Sequence, residues 1–184
     1  MDKPFVSNNT IVTKMLKDSA VMAVAGNVKL VPSEGRVGAE VMFVGESPTK
    51  LNTELGRPFM GMGGSILNSI LSDSDLKRDD VYITNVVRWL VSEDPNDFKV
   101  AAEVCRKYLL EEIKMVRPRM VVALGKKPFE ALTQKPINLR QDHGKVAEVE
   151  GWPVLATYHP NGLRYVKGGR KVVVGDILNS CQTS

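Results

Sequence analysis

Three polar side chains in this 184-residue sequence stand within or just beyond an apolar run. Glu46 follows Val41-Met42-Phe43-Val44-Gly45, Asn85 lies within the run Val81 to Val87, and His159 comes two residues after Val154-Leu155-Ala156-Thr157. Their chemistries are complementary. A carboxylate accepts hydrogen bonds, a carboxamide presents a donor and an acceptor on one planar group, and an imidazole titrates near neutrality and can donate or accept. Polar groups of these kinds stand where structural economy alone would not require them. Each also has a plainer reading: Glu46 as a loop carboxylate in solvent, Asn85 as a strand-end residue capping its own turn, His159 as a hydrogen-bonded structural histidine. His143 falls in no such pattern and reads as structural.

A parallel sheet would bring the three together. Val41 to Val44, Val81 to Val87, Met120 to Leu124 and Val154 to Thr157 are short apolar runs, each separated from the next by enough chain for a helix. Strands buried on both faces look like this, and the alternation argues for a doubly wound α/β fold. The expected architecture is a three-layer α/β/α domain over residues 1–184, built on a central, mainly parallel four-stranded sheet. In such sheets ligands bind beyond the carboxyl ends of the strands, which here deliver Gly45-Glu46-Ser47-Pro48-Thr49, Asn85, Gly125 and His159-Pro160-Asn161 to one edge. Helices are expected over Thr10 to Ala25, from Ser65 as a cap through Ile66, Leu67, Ile70 and Leu71, over Pro95 to Val116 with Ala101, Cys105, Leu109 and Ile113 on the buried face, and over Phe129 to Leu132. Glu150-Gly151 should turn Val146–Val149 back onto Trp152–Leu155.

With 43% hydrophobic and 25% charged residues the composition is that of a globular protein, and the longest apolar runs fall far short of a membrane span. Asp2 and Lys3 open an N-terminus without a signal-peptide core, so a cytoplasmic location is expected. A net charge of +4 is compatible with a polyanionic partner. Only two cysteines, Cys105 and Cys181, are present, too few for a disulfide framework or a cysteine-rich metal site. Neither a Walker A pattern nor a dinucleotide GxGxxG occurs, which disfavours a nucleotide-binding α/β protein.

The segments Gly45-Glu46-Ser47-Pro48-Thr49 and Gly56-Arg57-Pro58-Phe59-Met60-Gly61 with Gly63-Gly64 resemble the first motif region of family-four uracil-DNA glycosylases, GEAPG followed by GxPFxGxAG. Tyr82-Ile83-Thr84-Asn85-Val86-Val87 resembles that family's YITNxVK, and Thr157-Tyr158-His159-Pro160-Asn161 its TxHPS motif. The order and intervals agree from about residue 30 to 165. The resemblance implies hydrolysis of the N-glycosidic bond of uracil, or of a related deaminated or modified pyrimidine, flipped out of DNA. It implies a catalytic set of Glu46, Ser47, Asn52 and His159, with His159 donating to the base O2. Phe59 would stack the base, Asn85 would read uracil's O4 and N3–H, and Thr49 would face C5. It also implies a phosphate at the helix N-terminus near Gly64 and Ser65, and a DNA-pressing loop from Asn161 through Leu163, the candidate wedge, to Arg164, with Lys167 and Arg170 as further phosphate contacts.

Two departures stand out. The family usually holds a four-iron cluster on four cysteines, whereas here Cys105 alone occupies a ligand position and Trp89 stands at another. No cofactor is therefore expected. Asn52 and Thr53 replace the family's usual acidic pair, and Thr49 replaces a glycine. The leading expectation is a monomeric, monofunctional glycosylase acting on DNA; the alternative is a protein of the same fold that binds DNA or a modified base with little or no turnover.

Overall fold

The computed structural model describes residues 7–182; Asp2 and Lys3 fall outside that range, as does the side chain of Cys181. In chain order the elements are β1 (Ser7–Asn8), α1 (Thr10–Met15), α2 (Ser19–Ala25), β2 (Ser33–Glu34), β3 (Val41–Gly45), α3 (Lys50–Leu55), α4 (Gly61–Asp73), β4 (Tyr82–Asn85), α5 (Pro95–Val116), β5 (Met120–Leu124), α6 (Lys126–Thr133), α7 (Leu139–Asp142), β6 (Val146–Val149), β7 (Trp152–Thr157) and α8 (Gly169–Gln182), with 3-10 turns at Arg78–Asp80 and Pro160–Tyr165.

One sheet runs through the molecule in the order β1-β2-β4-β3-β5-β7-β6. Its centre is the expected set of four parallel strands, β4-β3-β5-β7, with β3 in register from Met42–Tyr82 to Gly45–Asn85 on one side and Val41–Met120 to Val44–Ala123 on the other. Three short antiparallel strands extend it to seven: β1 and β2 beyond β4, and β6 beyond β7. β6 and β7 form the hairpin foreseen at Glu150-Gly151, and both turn residues adopt positive φ (50° and 86°), as a tight hairpin turn requires.

The strands are apolar throughout because each face has its own helices to bury. Met42, Val44, Tyr82, Val121, Ala123, Val154 and Ala156 belong to one core with residues of α1, α2, α5 and α6. Val41, Phe43, Ile83, Val122, Leu124 and Leu155 belong to the other, with Leu67 and Ile70 of α4 and Val173 and Ile177 of α8. Alternate residues thus face opposite helical layers, giving the three-layer α/β/α arrangement.

Three expectations are corrected. The helix over Thr10 to Ala25 is two helices, broken at Leu16–Asp18, because the Asp18 carboxylate accepts from Ala20 N (2.8 Å) and so starts α2. Ser65 caps nothing: α4 begins four residues earlier, after Met60, and places Gly63, Gly64 and Ser65 inside its first turns. The charged face of α5 is interrupted by Glu112, which is wholly buried and accepts hydrogen bonds from Arg88, Ser33, Tyr82 (2.8 Å) and Thr84 (3.1 Å). Five polar side chains from β2, β4, α5 and the segment after β4 thereby satisfy one another in a space otherwise apolar.

Trp89 and Cys105 lie in the core shared by α1, α2 and α5, together with Ile11, Met15 and Val21. Burial pushes the Cys105 thiol up to about 12, with the nearby Arg88 opposing, so it is a small hydrophobic residue and not a thiolate ligand. Among the described residues no group of three or more His, Cys, Asp or Glu is placed to hold a metal ion. These residues do not fit an iron–sulfur cluster.

Candidate functional site at the carboxyl edge of the sheet

β3 ends on Gly45 opposite Asn85, the last residue of β4. A Cβ on Gly45 would lie 2.4 Å from Asn85 Oδ1 and 2.5 Å from the Phe59 ring, so the missing side chain is what lets these two groups converge. Asn85 is buried to 4% exposure, yet its carboxamide has no hydrogen-bond partner among the described residues. It does not cap its own turn. Its amide atoms open onto a cavity at this edge and are left available to a ligand that offers an acceptor and a donor together.

Phe59 has a φ of 50°, a left-handed conformation that costs a bulky residue on the order of 1–3 kcal/mol. The strain turns its ring toward His159, with ring centroids 5.9 Å apart at 30°. His159 Nδ1 accepts from Asn161 N (3.1 Å), capping the following 3-10 turn. In the neutral imidazole the proton must then sit on Nε2, which has no protein partner among the described residues and is a free donor. Burial lowers the pKa of His159 below the ordinary 6.5, the charge of Glu46 opposing.

A pH dependence follows from that shift. A histidine with a depressed folded-state pKa contributes stability that is complete above the unfolded value and declines as pH falls through 6.5 toward the folded one. In the folded protein the neutral tautomer persists below pH 6.5. The rate of any reaction that uses Nε2–H should therefore stay level through that point and fall only further down, where a proton on Nδ1 breaks the Asn161 bond. A pH–rate profile with an acid limb centred at or above 6.5, absent from a His159 variant, would contradict this.

The groups share a cavity of about 200 Å³ lined by Glu46, Ser47, Thr49, Asn52, Phe59, Met60, Gly63, Gly64, Asn85, His159 and Asn161. Every residue expected to act on the base is there. Glu46 is the one carboxylate among them, and Lys127 at the start of α6 pairs with it (2.5 Å). Asn52 is occupied otherwise: Thr49 Oγ1 accepts from Asn52 N (3.3 Å), Asn52 Oδ1 accepts from Thr49 N (3.0 Å), and Asn52 Nδ2 reaches Met60 O (3.5 Å). This reciprocal capping box starts α3 and fixes the loop to α4. A larger cavity of about 610 Å³ between α5 and α6, with Phe98, Ala102 and Ala131 on its walls, is bordered by Lys127 but by none of the residues that line the smaller one.

The residues expected to face DNA divide. Gly64 lies in the first turn of α4 against the Phe59 carbonyl, and Asn161 packs over Gly63. Ser65 is exposed on α4 but outside the cavity. Leu163 does not project: at 9% exposure it packs in the core with α4 and α8, because the 3-10 turn rotates it inward. Two positions on, Tyr165 is 78% exposed and lies under the Arg164 guanidinium (4.7 Å to the ring centroid). Arg170 pairs with Asp73 (2.5 Å). Lys127 and Tyr165 belong to no sequence motif; the usable signal for Lys127 is its place in the first turn of a helix that follows Gly125.

A doubly wound sheet whose carboxyl edge gathers an aromatic platform, an orphan amide and a histidine donor defines a class of base-recognising α/β proteins. The chain belongs to the uracil DNA glycosylase superfamily, whose family model matches residues 32–178. It is similar to the type-4 uracil-DNA glycosylases of Archaeoglobus fulgidus (34% identical, covering 73% of this chain and 72% of the relative) and Pyrobaculum aerophilum (36%, covering 71% and 70%). It also matches the type-5 uracil-DNA glycosylase of Pyrobaculum aerophilum, 33% identical over 78% of this chain and 70% of the relative.

Proposed function

We propose that this chain is a monofunctional DNA glycosylase that hydrolyses the N-glycosidic bond of uracil, or a closely related pyrimidine, in a nucleotide flipped out of DNA. The observation that carries the reading is the buried, unpartnered Asn85 amide facing a cavity sized for a small fragment rather than a large ligand. Uracil offers that amide an O4 acceptor and an N3–H donor on one edge, so both halves of the carboxamide are satisfied at once. Phe59 stacks the ring.

As the C1′–N1 bond breaks, its electron pair goes to the base and the sugar gains oxocarbenium character. The Nε2–H of His159 donates to the base O2, where the negative charge collects. Water adds its oxygen to C1′ and releases one proton. Glu46, the carboxylate lining the cavity, takes it, while Ser47 beside it leaves room for the water. Asn52, held in the α3 capping box, keeps Thr49 and Met60 in place rather than acting on the water. DNA approaches the carboxyl edge, with Arg164 meeting phosphate and Tyr165, in place of Leu163, presented to the groove.

Asn85→Asp tests the reading. An ionised aspartate only accepts, so uracil O4 faces a carboxylate with no proton between them, whereas cytosine presents an N4 amino donor at that point. Uracil excision should fall roughly ten- to a hundredfold and relative activity on cytosine should rise. Single-turnover cleavage of matched uracil and cytosine oligonucleotides measures both. Equal loss on both substrates, or intact uracil excision, would mean that Asn85 does not read the base.

A further inference from the structure

We propose that Arg78 is a positioning residue for base excision: oriented by Glu34, its guanidinium grips the loop before α4 and holds the Phe59 ring in the strained conformation that faces His159. The inference rests on the reading of Phe59 as the platform for the base.

All five N–H donors of Arg78 are used. Nε donates to Glu34 Oε1 (2.8 Å) and Nη2 to Glu34 Oε2 (3.1 Å), a bidentate pair. Nη2 also donates to Pro58 O (2.8 Å), and Nη1 to Phe59 O (3.3 Å) and Asn68 Oδ1 (3.0 Å). One side chain thus ties the two carbonyls flanking the strained residue to α4 and to β2. Glu34 is itself held. It is 4% exposed, on the strand that pairs with β4, and takes a further bond from Arg57 (2.9 Å). Burial tends to raise the Glu34 pKa, but the Arg78 and Arg57 hydrogen bonds outweigh it and keep the carboxyl ionised. From the other side the Phe59 carbonyl lies over Gly64, where any Cβ would be 1.8 Å away. A loop that only had to connect α3 to α4 would need no positive φ at a phenylalanine and no guanidinium beneath it. Lysine cannot substitute, since one ammonium has three donors at a single point and cannot span a carboxylate and two carbonyls.

A double-mutant cycle with Phe59→Ala tests the assignment, read as single-turnover cleavage of uracil DNA. Arg78→Ala alone should slow cleavage on the order of a hundredfold, the cost of a reacting partner misplaced by about an ångström. Arg78→Lys should recover only part. In the Phe59→Ala background Arg78→Ala should add little, because there is no ring left to position. If Arg78→Ala slows both backgrounds by the same factor, or slows neither, the proposal is wrong. Should Arg78→Ala fold poorly, Arg78→Lys and Glu34→Gln enter the same cycle. A second measurement does not need turnover. The chain has five phenylalanines, so 4-fluorophenylalanine labelling gives five fluorine resonances, with Phe59 assigned by substitution. The Phe59 line should shift or broaden in the Arg78 and Glu34 variants, and an unmoved line overturns the clamp. If wild-type protein cleaves no uracil DNA, the glycosylase reading fails while the fluorine spectrum still decides the clamp.

Discussion

His159→Ala should slow single-turnover excision by about a hundred- to a thousandfold while scarcely changing DNA affinity. The neutral ring is fixed by its Nδ1 bond to Asn161 N, so the substitution removes a single pre-aimed donor, Nε2–H, and loss of one such contact typically costs 3–4 kcal/mol in the transition state. It also removes the cap of the 3-10 turn, worth about 1 kcal/mol of stability. His159→Asn separates the two effects. Its short side chain can restore the cap but does not extend into the cavity, so thermal stability should return and the rate should not. Equal losses in binding and cleavage would make His159 structural, and full activity would remove it from the mechanism.

Gly64→Ala should destabilise the protein by roughly 2–4 kcal/mol and abolish most activity with it. By helix propensity alone the change should gain up to about 1 kcal/mol, since Gly64 lies in α4 at an ordinary negative φ. Packing reverses the sign. The new Cβ would lie 1.8 Å from the Phe59 carbonyl, a backbone atom that cannot retreat without releasing Arg78 and tilting the Phe59 ring. Gly175→Ala in α8 is the matched control, with nothing within 4 Å of its added Cβ; it should leave stability unchanged or slightly raised. Denaturant unfolding of the pair gives the comparison. A Gly64→Ala protein as stable as wild type would mean that the α3–α4 loop is looser than described.

Where a rule of periodicity was sufficient, the sequence was legible. β3, β5 and α5 lie where apolar runs and a 3.6-residue repeat put them, and the parallel order of strands carried Glu46, Asn85 and His159 to one edge. Sequence failed where a local hydrogen bond or a distant partner decided. Asp18 divides a stretch with continuous helical patterning by capping. β1 and β2 are two residues each, too short to leave a pattern, and exist because β2 pairs with β4 and β1 pairs with β2. Leu163 looked like a wedge because it follows a motif, but the 3-10 turn buries it and presents Tyr165. Asn52 carried a catalytic expectation from its place in the motif; its partners three and eight residues away hold it in a capping box at the cavity wall, which the motif alone did not show. Arg78 sits in a charged, turn-like stretch with no motif, so only coordinates show its reach to Glu34, 44 positions away.

The buried pair Arg88–Glu112 bears on how this protein can change over generations. Removing either partner leaves a lone charge in the core, with Tyr82, Thr84 and Ser33 still arranged around it, at a cost of about 3–5 kcal/mol. That is a large share of what holds a domain of this size together. A lineage that alters one of the two must therefore pass through a scarcely folded intermediate, and an apolar pair of similar volume would be tolerated only with matching loss of the Ser33, Tyr82 and Thr84 hydroxyls. Arg88 and Glu112 should be inherited as a unit, kept or lost together across relatives, and because Arg88 follows Asn85 by three residues, the carboxyl end of β4 is tied to the same lock.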